Sequence, residues 1–485
     1  MIDLTRIEQY RENNRIEAKK ALGGLPQSIW ETYSAFANTL GGIILLGVEE
    51  YADHSLHLVD LPDPERLVIE FWDIINNPKK TSVNILSDKH VRIHEVNGKH
   101  IIVIIVPRAQ RFDKPVYIDG NPLSGTYRRN GEGDYKCTRE EVQGMLRDAA
   151  IQTQDMKVLE HMSMDVLDYD SVHRYRVRMR SHRPGHVWEE LDDADFLYKL
   201  GAAGRSADGA IHPTAAGLLM FGHEYEIVKE FPHYFLDYQE KMEEDTRWTD
   251  RIVSSSGEWS GNLYDFYFRV YNKIVQDIKT PFKVESGERV DDTPVHTALR
   301  EALANSLINA DYYGRQGLVV IKQKDMISIA NPGAFRIELE TAKSGGVSDP
   351  RNTALMKMFN LINIGERAGS GIPNIYAVWR KQGWNLPEIE EQFDPERTVV
   401  ILPFQTSGDK KSAIKTGDKK SAINQIKKEM IVEYLTEHPY AKAAEIAEYI
   451  ALKPSRTREY LCELVTEEIV VAEGENKGRI YALKR

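Results

Sequence analysis

The sequence predicts an α+β chain of several domains. Three observations carry this. The 485 residues are too many for one hydrophobic core. Short apolar runs such as IILLGV (43–48) and LVVIK (318–322) are interleaved with amphipathic helical patterns. A nine-residue tandem repeat, SGDKKSAIK then TGDKKSAIN, is polar and lysine-rich and reads as a flexible linker. The expected divisions are 1–150, a connecting α+β region 151–289, a third domain 290–405, the linker 406–424, and a small C-terminal domain 425–485.

Hydrophobic residues make up 41% and charged residues 28%, the balance of a globular protein. A net charge of −11 argues against an indiscriminate polyanion binder and leaves room for local basic faces. With no apolar run of about 18 residues and no leader pattern, no membrane association is expected. The only cysteines, Cys137 and Cys462, lie far apart, so neither a zinc site nor a disulfide framework is expected and a reducing cytoplasm is the expected compartment.

In the first division, residues 6–24 read as a helix or a strand-like segment. Residues 27–39 read as a helix stopped by Gly41–Gly42, and 43–48 as a buried strand. A hairpin joins 91–96 to 99–106 through Asn97–Gly98. Residues 115–118 and 125–129 read as short strands, and 138–149 as a helix with Thr138 as N-cap and Glu141 closing a capping box. Glu12, Glu17, Lys19 and Glu49 or Glu50 form a candidate catalytic set. Carboxylates from two segments, Glu12 and Glu17 among them, can share a divalent metal, and a lysine can neutralise a phosphodiester. Arg128 and Arg129, flanked by Gly131 and Gly133, suit backbone phosphates; the alternative is a solvated turn.

The strings NNRIEAKK, SAFANTLGGIILLGVEE, KPVYI and GTYRRNGEG resemble the AlbA-like Schlafen domain of bacteria over roughly residues 8–148. That resemblance implies binding of DNA or RNA and, in some members, RNA cleavage by three acidic residues. Glu12 and Glu17 match the first two. Glu49 or Glu50 stands where the family usually has Asp, and Ala18 replaces its commoner aromatic.

In the second division, helices are expected at 171–180 and 192–201, a turn at 204–213, a deeply packed helix or strand at 212–222, a strand at 234–238, and an amphipathic helix at 262–278. The aromatics between Phe231 and Tyr271 favour core packing over base stacking beside Arg247 and Arg251, and His212 and His233 read as structural.

In the third division, 293–314 reads as one helix, with Thr293 as N-cap and Pro294 at its first position. Leu299, Leu303, Leu307 and Ala310 form its core stripe, while Glu301, Asn305 and Asn309 share another face. A carboxylate and an amide one turn apart can hold a hydrated Mg²⁺ beside a phosphate; the alternative is a merely wet face. Ile308 among these polar residues implies a cover. Strands 318–322 and 326–330 pair, and Asn331–Pro332–Gly333 breaks the second. Residues 343–349 form a glycine-rich loop suited to a mobile cover, and 353–362 a helix. Gly369 and Gly371 precede another helix, where backbone N–H groups can face a phosphate, and 397–403 closes the unit as a strand.

EALAN, SIANPG and ERAGSG, in that order, resemble the Bergerat-type α/β sandwich that binds ATP in gyrase, heat-shock chaperones, histidine kinases and mismatch-repair ATPases (the GHKL group). They resemble more closely the divergent subgroup that follows Schlafen-type domains in bacteria. The resemblance implies ATP and Mg²⁺ as cofactors and a homo-oligomer. It makes Glu301 the catalytic acid, Asn305 the Mg²⁺ holder, Asn331 and Gly333 the base-reading box, and Gly369 and Gly371 the phosphate loop. Asn331 replaces the usual Asp and Asn309 a common His.

The last division, helix–helix–helix–hairpin, resembles a winged helix-turn-helix. Ser455, Arg456 and Arg458 start its third helix, where DNA is touched, and Lys477 and Arg479 ride the wing onto phosphates; a protein-interaction winged helix is the alternative. The expected function is a nucleotide-dependent nucleic-acid-binding protein, such as a DNA-binding transcriptional regulator. The alternative is a metal-dependent nuclease acting on RNA or DNA in phage defence.

Overall fold

The computed structural model describes residues 2–242, 247–276, 284–285, 288–289, 293–365, 369–393 and 395–405, together with parts of 431–483. The chain divides into two compact units, Met1–Thr406 and Ser407–Arg485.

The first unit begins with a four-stranded sheet in the order Ile16–Lys19, Gly42–Leu46, Lys99–Val106, Val91–Val96. The first pair is parallel and the others antiparallel. The segment expected as helix or strand is both: a 3₁₀ turn at Leu4–Gln9, then the strand Ile16–Lys19. The helix Ile29–Asn38 buries Trp30, Tyr33 and Phe36 against this sheet. The Asn97–Gly98 turn has both residues at positive φ, as a tight hairpin of the strands' twist requires. Thr138 and Glu141 form the expected capping box on the helix Arg139–Ala149.

One strand reading fails. Residues 115–118 make only isolated bridges, at Tyr117 and Ile118. Asn38 explains why: its Oδ1 accepts from Val116 N at 2.9 Å and its Nδ2 donates to Val116 O at 2.8 Å and Tyr127 O at 3.1 Å. A buried side-chain amide therefore takes the backbone groups that a ladder would use. The turn expected at 204–213 is a small hairpin of Ala203–Arg205 with Ile211–Pro213, and residues 215–221 of the deeply packed segment are a helix, buried throughout.

The second sheet has six strands, ordered Asp250–Val253, Leu236–Lys241, Leu318–Gln323, Met326–Pro332, Glu396–Pro403, Glu388–Phe393. Leu236–Lys241 runs parallel to Leu318–Gln323; the other neighbours are antiparallel. Two of these strands come from the connecting region, and residues 159–402 contribute to one continuous core. The helix Pro294–Asn309 lies at its centre, with Leu299, Leu303 and Leu307 fully buried, each such side chain contributing about 1.5–3 kcal/mol. The edge strand Glu388–Phe393, EIEEQF, carries no apolar run; pairing with Glu396–Pro403 rather than its own hydrophobicity makes it a strand.

In the second unit, Ala441–Lys442, Ile480–Leu483 and Val470–Glu473 form a three-stranded antiparallel sheet beside the helix Ala443–Tyr449. Ile431, Leu435, Ile446, Leu461 and Leu464 are buried together with Val470 and Tyr481. The tandem repeat, Ser455, Arg456, Arg458, Lys477 and Arg479 lie outside the described residues. Among the described residues no helix is long and apolar enough to cross a membrane.

Candidate functional site

Five segments far apart in sequence converge on one cleft in the first unit. The helix Pro294–Asn309 presents Glu301, Asn305 and Asn309 to it; the strand Met326–Pro332 presents Asn331; Glu396–Pro403 presents Thr398; the loop 345–351 closes one side; and Gly369 and Gly371 enter from the start of the helix Gly371–Gln382. Ile308, the apolar residue on the polar face, is 1% exposed and also lines it, so the cover inferred from its presence exists.

Asn305 Nδ2 donates to Glu301 Oε1 at 3.2 Å, as the one-turn spacing allows. Gly371 sits directly on this pair. A Cβ there would collide with Glu301 Oε1 and come within 2.7 Å of Asn305 Nδ2, so only glycine lets this backbone approach the acid and the amide. Gly369 has φ +64, and its missing side chain leaves room for Val347 O, 2.5 Å from where a Cβ would stand.

Asn331 is buried at the floor, opposite Thr398 in the strand register. Its Nδ2 donates to Pro332 O at 3.4 Å, and the residue lines the cleft. Thr398 Oγ1 donates to Gly333 O at 2.8 Å. Gly333 itself, at φ +93, does not line the cleft; it makes room for the Arg351 guanidinium, which a Cβ would strike. Asn309 is committed to the scaffold: Nδ2 donates to Asn305 O at 2.9 Å, and Oδ1 accepts from Arg351 N at 3.3 Å.

Sequence reasoning missed the wall behind the cleft. Arg351 donates Nε to Asp148 Oδ1 at 2.9 Å, Nη2 to Asp148 Oδ2 at 2.7 Å, and Nη1 to Asn309 O at 2.6 Å. Burial alone would lower the Arg351 pKa, but Asp148 outweighs it and holds the value above the usual one; Arg351 in turn overcomes burial at Asp148 and lowers its carboxyl pKa. Arg336, also lining the cleft, is pushed down to about 10 by burial. Arg108 pairs with both oxygens of Glu391, at 2.6 and 2.9 Å. A buried arginine must find an acceptor, but the sequence alone does not say which of 74 carboxylates supplies it.

The N-terminal acidic set is organised differently from the expectation. Glu17 accepts from Lys19 Nζ at 2.8 Å through Oε1 and lies 2.8 Å from Arg129 Nη1 through Oε2. Glu12 Oε1 accepts from Ala18 N at 2.9 Å. Burial, with Glu17 and Glu50 nearby, pushes the Glu12 carboxyl up. Glu49 is turned to Lys20 at 2.8 Å, and Glu50 to His54 at 2.9 Å. Among the described residues no group of three or more His, Cys, Asp or Glu is placed to hold a metal ion. Arg129 is 1% exposed in its side chain and holds Glu17, Asp134 and the Asn13 carbonyl, while Arg128 pairs with Glu141 at 2.8 Å and reaches Phe393 O. Both arginines expected to meet phosphates are bound within the protein, because the hairpin that carries them folds back over the first strand and helix.

With this geometry in view, comparison with known families divides the chain. Residues 12–138 match the family described as Schlafen, AlbA_2. Residues 319–402 match the family described as Putative ATP-dependent DNA helicase recG C-terminal, and residues 143–237 a Domain of unknown function (DUF8451). Among solved structures, the N-terminal domain of a putative ATP-dependent DNA helicase RecG-related protein from Nitrosomonas europaea is 31% identical. That likeness covers 28% of this chain and 95% of that one, with a TM-score of 0.23. The DIP2311 protein from Corynebacterium diphtheriae is 15% identical over 97% of this chain and 95% of that one, with a TM-score of 0.39. No curated protein matches the chain.

Proposed function

We propose that the cleft binds a purine nucleotide triphosphate with Mg²⁺, and that the protein is a nucleic-acid-binding regulator whose grip depends on that nucleotide. The observation that carries this reading is the convergence of Glu301, Asn305, Asn331, Gly369 and Gly371, drawn from three separate motifs, on one cleft. Asn305 and Glu301 would hold the hydrated metal, the backbone at Gly369 and Gly371 would meet phosphate oxygens, and Asn331 Oδ1 would accept from a base amino group. Mg²⁺ supplies charge neutralisation when bound. Asn331 accepts as a neutral amide rather than a carboxylate, which favours binding over turnover. The nucleic-acid part of the reading draws on the Schlafen, AlbA_2 and recG C-terminal matches.

The nuclease alternative has less support, since Glu17 is ion-paired with Lys19 and Arg129 while Glu49 and Glu50 are turned to Lys20 and His54. Titration calorimetry with ATP and Mg²⁺ tests the proposal: a binding isotherm for the wild type, weakened at least tenfold in Asn305→Ala, is expected, and a flat trace for the wild type refutes it.

A further inference from the structure

Two glycine loops interlock on the cleft's open side. The first, 345–349, carries Gly345 and Gly346 at φ +80 and +81. A Cβ on Gly345 would stand 2.8 Å from Pro373 Cγ and 3.1 Å from Gly369 O, and one on Gly369 would meet Val347 O. A phosphate group held at Gly369–Gly371 would therefore stand beside the 345–349 loop, whose Val347, Ser348 and Asp349 line the same cleft. That loop ends at Asp349, whose carboxylate is held from the N-terminal domain: Arg111 Nε donates to Asp349 Oδ2 at 2.6 Å. The same arginine donates Nη1 to Asp148 O at 2.6 Å and Ala150 O at 2.9 Å, capping the end of the helix Arg139–Ala149. Arg336 stands 3.7 Å from Asp349 and donates to Asp148 O and Pro350 O, and two residues on, Arg351 holds the Asp148 carboxylate. Arg111 and Asp349 are 11% and 27% exposed in their side chains, so water screens this pair little.

We propose that Asp349 is the coupling residue between the cleft and the N-terminal domain. A triphosphate that shifts the 345–349 loop changes the Arg111–Asp349 pair, and with it the end of the helix Arg139–Ala149. This rests on the nucleotide reading of the cleft. A coupling requires a ligand with different affinity for the two loop positions, and it acts equally in both directions: whatever the N-terminal domain binds alters nucleotide affinity by the same factor.

Hydrogen–deuterium exchange on the full chain, with and without ATP and Mg²⁺, tests it. In the wild type the nucleotide should change protection in 339–351 and also in 139–150. In Asp349→Asn the first change should persist and the second be lost, and Arg111→Lys, which keeps a cation but not the fork, should behave alike. A wild-type response that stops at 339–351, or one in 139–150 that survives both substitutions, overturns the coupling while leaving the nucleotide reading intact. A flat calorimetric trace with ATP overturns the nucleotide reading, and the coupling with it.

Discussion

Arg351 and Asp148 meet in a two-point ion pair, Nε to Oδ1 at 2.9 Å and Nη2 to Oδ2 at 2.7 Å, across 203 residues of sequence. The guanidinium also serves the carbonyls of Asn309 and Ala334. One side chain thus fastens the N-terminal domain to the end of the cleft helix and to the strand end beyond Gly333. Removing it leaves a partly buried carboxylate and two carbonyls without this donor. Arg351→Ala should cost about 3–5 kcal/mol, and Arg351→Lys should recover only part, because an ammonium cannot reproduce the fork. Chemical denaturation of the first unit checks this, and a loss under about 1 kcal/mol for Arg351→Ala would show the pair to be dispensable.

A side chain at 371 would have to displace the ends of Glu301 and Asn305. Gly371→Ala should destabilise by about 1–3 kcal/mol through overpacking. Adding Glu301→Ala removes the atoms struck first and should return part of that loss, so the double-mutant cycle should show a clear favourable interaction term. Additive losses would mean that the two positions do not touch.

Arg129 distinguishes a structural cation from a phosphate contact. It is buried among Glu17, Asp134 and the Asn13 carbonyl. Arg129→Ala should therefore unfold the N-terminal domain more easily, by about 3–5 kcal/mol, read as a drop in melting temperature. An unchanged melting temperature with weaker nucleic-acid binding would restore the phosphate role.

Lys114 gives a pH dependence with a definite sign. It is half-buried and donates to Asn38 O at 2.7 Å, and desolvation, with Arg108 adding to it and Glu396, Glu391 and Asp148 opposing, pushes its pKa down to about 7. The unfolded chain keeps the ordinary value of about 10.4. Between these two values the unfolded state binds the proton and the folded state does not, so this group makes stability rise with pH across that window and fall as pH drops toward 7. Glu396, whose carboxyl burial pushes up, acts in the opposite sense. Lys114→Met removes only the lysine contribution. Its stability relative to wild type should therefore be greatest near about pH 7 and decline toward about pH 9. Thermal unfolding across that range tests this; a difference that grows with pH contradicts it.

Much of the cleft was legible in the chain because helix geometry is local. Glu301, Asn305 and Asn309 share a face by spacing alone, and Thr293 caps the helix as its side chain dictates. The glycines at 369 and 371 were legible as a loop before a helix, although only packing shows what each makes room for. The edge strand Glu388–Phe393 was not legible, since all six of its residues are placed by backbone pairing with Glu396–Pro403 and half of its side chains are charged. Asn38 was visible only as part of a motif; its role in taking the Val116 backbone from a strand needed the fold.

The sequence by itself determined the helices Ile29–Asn38 and Arg139–Ala149, the hairpin at Asn97–Gly98, the polar face of the helix Pro294–Asn309 and the glycine loops, because these follow from periodicity, caps and turn chemistry within a few residues; it ran that helix on to 314, where the structure ends it at Asn309. Only the tertiary structure decided which charges meet. It gave Arg129 to Glu17, Glu49 to Lys20, Arg351 to Asp148 and Arg111 to Asp349. A charged side chain carries no label for its partner in the sequence. Its partners are fixed only when the fold brings distant segments together, whether the pair is then buried, as Arg129 is with Glu17 and Asp134, or left at the surface, as Glu49 is with Lys20.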